Sequence, residues 1–135
     1  MATQEKILNA IQEQKNGIQE QKNDIQEQKN DIRLLNNDIL ELQKVVQDLE
    51  ADKKSATSEQ SKISLGAEII TVQSTLTAKE NSLAAMQTLL ATTQNLLAAM
   101  QNSLSEMTKV NILIMSQQGM LFQSHIPNGI SPNFG

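Results

Sequence analysis

The chain has 135 residues, a formal net charge of −4, and no cysteine, tryptophan or tyrosine. Two phenylalanines and a hydrophobic content of 39% leave too few large side chains for an ordinary globular core. Disulfide frameworks are excluded, and the mild acidity offers no basic patch for nucleic acid.

The first predicted element is a helix over 1–50. Thr3 is placed as its N-cap, with Glu5 in the first turn where the helix dipole favours an acid. Isoleucine then returns every seven residues, at Ile11, Ile18, Ile25, Ile32 and Ile39. Between them the unit Ile-Gln-Glu-Gln-Lys-Asn recurs nearly unchanged. Such a strict seven-residue apolar repeat marks helices that supercoil around partner helices. A helix from about residue 4 to about residue 53 would be roughly 75 Å long at 1.5 Å per residue.

With isoleucine at heptad position a, position d holds Gln14, Gln21 and Gln28, then Leu35, Leu42 and Leu49. Position e holds Lys15, Lys22 and Lys29, and position g holds Gly17, Asp24 and Asp31. The opposite register would bury the lysines and is rejected. Asp at g and Lys at e of the next heptad suit identical chains aligned in parallel. Exposed pairs of this kind are worth only about 0.2–1 kcal/mol, so they set orientation more than stability. Buried amides at d cost about 1–3 kcal/mol if unpaired. Around a symmetry axis they can bond one another or hold an ion or water, fixing register and oligomer number. From Ile32 to Leu49, with Ile39, Leu42 and Val46, the apolar seam has no polar break.

Isoleucine at a with an amide at d resembles the trimeric stalks of autotransporter adhesins and of phage and viral fibres. Those stalks more often carry Asn at d, where this chain has Gln14, Gln21 and Gln28. The resemblance covers about four heptads. It implies a trimer; a dimer or tetramer is the alternative.

Residues 51–64 are rich in Ser and Thr and lose the pattern. They are expected to form a phase break in one rod or a loop, with Ser61 or Ser64 capping a second helix and Gly66 in its first turn. The second helix is predicted over 65–118. Its position a is Ile69, Leu76, Leu83, Leu90, Leu97 and Leu104. Its position d is Val72, Lys79, Met86, Thr93, Met100 and Met107, and Leu89, Leu96 and Val110 at g widen the apolar face. No charge occurs between Glu80 and Glu106, so this helix is adapted to being covered.

Residues 119–135 are expected to form an irregular tail, with Gly119 as the helix stop and turns around Pro127 and Pro132. Met120, Leu121, Phe122, Ile126, Ile130 and Phe134 are its apolar anchors, for docking or for capping the bundle. The lone His125 makes a poor metal site, and no catalytic motif is present.

These features predict an all-α, elongated, parallel homo-oligomeric coiled coil, trimeric, with a mid-chain break. A hairpin folded back at 51–64 is the competing architecture, and the charge pairing favours the rod. The expected role is a non-enzymatic fibre, stalk or spacer in a phage or virus particle. Its partners would be its own copies and a structural protein at one end, with no nucleic acid, membrane or cofactor. The N-terminus lacks the basic start and apolar run of a signal peptide, so a virion or cytoplasmic assembly is expected. The alternatives are a secreted or membrane-active translocator-like protein, for which residues 110–122 are the most apolar run, and a cellular coiled-coil adaptor or scaffold.

Overall fold

Two α-helices account for nearly all of the backbone in the computed structural model, which describes residues 2–124, and side chains from 3 to 118. Helix α1 is Ala2–Ser55 and helix α2 is Glu59–Ser124. Among the described residues there is no strand, so the protein is all-α.

Ser and Thr do not unravel the middle of the chain to the extent that their propensities suggest. Among the described residues only 56–58 lie outside a helix. Ser55 Oγ donates to the Ala51 carbonyl at 3.1 Å, and the Ala56 amide donates to the Lys53 carbonyl at 3.3 Å, closing the last turn of α1. Lys53 and Lys54 sit in that turn, where cations complement the carbonyl end of the dipole. Ser58, rather than Ser61 or Ser64, caps α2. Its Oγ accepts from the Ser61 amide at 3.1 Å, satisfying one of the free N–H groups of the first turn. Gly66 consequently falls beyond the first turn. The hydroxyls of Thr71, Thr75, Thr88, Thr92, Thr93 and Thr108 each donate to the carbonyl four residues earlier, which satisfies them without ending the helix.

Two ends also differ from expectation. Thr3 lies inside α1, which begins at Ala2. Gly119 does not stop α2, which continues to Ser124. One interior glycine costs only about 1 kcal/mol, and helix-compatible residues follow it before Pro127. The segment 119–124 is therefore helical rather than irregular. Ile126, Ile130, Phe134 and the proline turns lie outside the described residues, as do the side chains of Met120, Leu121 and Phe122.

The chain divides into two units. In one, Lys22–Asn95, α1 passes through the short turn into α2. Its cross-helix contacts run in opposite directions along the two helices. Gly66 approaches Lys53, Lys79 pairs with Asp38 at 3.6 Å, and Gln28 Nε2 donates to Thr93 Oγ1 at 3.1 Å. In the other unit, α1 up to Gln21 packs with α2 from Leu96 onward. There Gln14 and Gly17 meet Met100, while Ile7 and Ala10 share a groove with Ser103, Met107 and Val110. Within each unit the helices are antiparallel.

The continuous parallel rod is thus replaced, inside each unit, by pairing of the chain with itself. The three residues between the helix ends are enough for the reversal that the contacts show. A tethered second helix also meets the seam at high effective concentration, without the entropy cost of recruiting another chain. The Ser58 cap starts α2 at that reversal. Ser58→Ala is expected to destabilise the protein by about 0.5–2 kcal/mol, and Ser58→Gly by a few tenths. Denaturant melts at fixed concentration measure both; an unchanged midpoint for the alanine variant would remove the cap from the account.

Candidate functional site

The candidate site is the helix seam. In the Lys22–Asn95 unit, Ile25, Ile39 and Ile69 are buried, and in the other unit Ile11 and Ile18 are. Ile32, Leu35, Leu42, Val46 and Leu49 of α1 are half-buried. So are Val72, Leu76, Leu83, Met86 and Leu90 of α2 in the first unit, and Leu97, Met100, Leu104 and Met107 in the second. These residues lie on a covered face, and within each unit the cover is the chain's own other helix.

The three amide layers also lie on this face. Gln14 Nε2 donates to the Met100 carbonyl at 3.0 Å. Gln28 Nε2 donates to Thr93 Oγ1, whose hydroxyl in turn donates to the Leu89 carbonyl at 2.9 Å. Gln21 is half-buried. The heptad pattern pairs these amides with sister amides across a symmetry axis; Gln14 and Gln28 instead meet α2. Gln28 Oε1 is buried with no hydrogen-bond partner.

Asn111 does not stand out in the sequence, yet it is buried. It lies seven residues after Leu104, so the heptad count alone places it in the seam. Its Nδ2 donates to Met115 Sδ at 3.7 Å, and its Oδ1 has no partner. Gly17 allows a close approach: a Cβ there would stand 2.8 Å from Met100 Cε.

Among the described residues ion pairing across the seam is sparse. Lys79 reaches Asp38, and the other pairs, Lys62–Glu59 and Lys109–Glu106, lie within one helix turn on the surface. Such exposed pairs contribute little to stability. Among the described residues no group of three or more His, Cys, Asp or Glu could hold a metal ion. Among them, too, no helix is long and apolar enough to cross a membrane.

No protein-family model, curated protein or solved structure matches the chain.

The Gln28–Thr93 layer makes a sharp energetic test. Thr93→Val alone leaves a buried amide without its acceptor and is expected to cost about 1–3 kcal/mol. Gln28→Leu combined with Thr93→Val removes both polar groups and is expected to be neutral or stabilising. A double-mutant cycle read by thermal unfolding decides the matter. Additive losses would mean that the two side chains do not interact.

Proposed function

We propose that this protein is a non-enzymatic, self-associating structural protein whose paired helices bundle with copies of the same chain. The observation that carries this reading is incomplete burial. Among the described residues no side chain is fully buried, even along the seam. Ile63 is 70% exposed, Ile70 66% and Leu40 63%, and Leu34, Leu89, Leu113 and Ile112 are each more than half exposed.

Ordering one residue's backbone costs about 1–2 kcal/mol. A fully buried Leu or Ile returns about 1.5–3 kcal/mol, and a half-covered one returns correspondingly less. Two helices facing one another leave both flanks of the seam wet. Copies of the chain are the cover that needs no further component. Three copies are what the resemblance to trimeric stalks implies, and they would meet through the flanks of the seam, since Gln14 and Gln28 already face α2.

Near repetition of one heptad unit fits a spacer, where length and stiffness matter more than a shaped pocket. A stalk or fibre component of a phage or virus particle, fixed at one end to another structural protein, is the role this favours.

A second reading rests on α2 beyond Lys109, where Val110, Ile112, Leu113 and Met115 are all exposed and no charged residue follows in the sequence. That surface suits a membrane interface. Flotation of the full chain with vesicles separates the readings: a stalk stays unbound, and lipid binding abolished by Ile112→Ser with Leu113→Ser would favour the membrane.

Self-association makes stability depend on concentration. Tm is expected to rise as chain concentration rises. A cooperative melt independent of concentration would overturn the proposal.

A further inference from the structure

The seam has two flanks, and they carry different charge. Within the Lys22–Asn95 unit, Val45 and Leu49 line a groove with Glu68 and Val72 on one flank. Glu50 and Lys53 line a groove with Lys62 and Ile69 on the other, where Gly66 also approaches Lys53. The first is called the front and the second the back. Ile25, Ile32, Ile39 and Val46 stay covered at seven-residue steps, so residues spaced by seven keep to one flank.

Asp24, Asp31 and Asp38 precede Val45 in steps of seven and therefore share the front with it, as does Asp52 one step later. On α2 the corresponding front positions are Glu68, Thr75, Ser82 and Leu89. No basic residue occupies any of these positions, and only Lys79, from the seam, reaches one of the front acids, Asp38. Lys22 and Lys29 precede Glu50 in steps of seven and share the back with it. Lys53 and Lys62 line the back groove, where Glu59 pairs with Lys62, so four lysines there face three glutamates, Glu50, Glu59 and Glu80, and the back is close to neutral where the front is acidic. Asp24, Asp31, Lys22 and Lys29 are exposed, and none has an ion-pair partner among the described residues. The front also exposes Val45 at 41% and Leu89 at 54%.

We infer that the front of one chain docks on the back of a second copy, with the α1 helices parallel and Asp24 and Asp31 set against Lys22 and Lys29. This rests on the proposed self-association and specifies its interface. Front-to-front contact would set Asp against Asp, and back-to-back contact with parallel α1 helices would set Lys22 and Lys29 against their own counterparts, both repulsive. A front-to-back contact is heterologous, and repeated by rotation it closes into a ring rather than a two-fold dimer. The aspartate–lysine row orients the copies, while covering Val45 and Leu89 supplies the apolar contribution.

Charge reversal of the full chain tests this, read by sedimentation equilibrium at low and high salt, with helicity checked by circular dichroism. Asp24→Lys with Asp31→Lys is expected to lower the association constant roughly tenfold or more at low salt. Lys22→Asp with Lys29→Asp is expected to do the same. The fourfold variant carrying both reversals is expected to return close to the wild-type constant. If either single-flank variant associates like wild type while helical, or if the fourfold variant stays as weak as they are, front-to-back docking is wrong. In those cases self-association itself stands, because wild type still assembles. A wild-type chain that stays monomeric overturns both.

Discussion

Two helices can cover each other from only one direction, and the rest of this structure depends on that constraint. In each unit the isoleucine row of α1 and the leucine and methionine rows of α2 meet face to face. Among the described residues only five hydrophobic side chains, Ile11, Ile18, Ile25, Ile39 and Ile69, are buried. The other seam residues are half-covered because nothing lies beyond the partner helix. This follows from the composition: with almost no aromatic side chains, the seam cannot widen into a core. The apolar residues left outside it, and the charges flanking it, are then the surfaces through which copies can meet.

The polar groups within the seam do a different job. An apolar helix pair can slide by a heptad with little change in burial, because leucine replaces leucine. Gln28 on Thr93 cannot slide without leaving an amide unpaired, whereas Gln14 donates to a main-chain carbonyl that every register offers. The Gln28 contact penalises a shifted pairing within its own unit, which is the use of buried polar groups best attested in coiled coils. Gln28 keeps one oxygen unsatisfied, so this discrimination lowers stability.

The helical class is legible from the sequence because it follows from local rules, whereas the expected break over 51–64 is in the structure confined to 56–58. A seven-residue apolar period assigns Ile11 through Leu49 and Ile69 through Met107 to covered faces whatever covers them. The identity of the cover is not legible. The same Ile and Leu rows serve a sister chain or the chain's own second helix equally well, since a heptad encodes a face and not a direction. The pairing of Lys and Asp at e and g suggests parallel neighbours; intramolecular reversal meets the seam first, and leaves those charges on the two flanks. Ser58 is hard to pick out as the cap because the cluster of Ser and Thr around it offers several equivalent capping residues. Asn111 is hard to pick out because a polar side chain interrupts a row otherwise recognised by its leucines, although its heptad position matches theirs.

The central claim is that the paired helices are half of a core that copies of the chain complete. The mass of the full-length particle in solution, measured by sedimentation equilibrium, tests it most directly. Three chains per particle are expected, dissociating on dilution with loss of cooperative unfolding. A stable single chain that unfolds cooperatively at every concentration would contradict it.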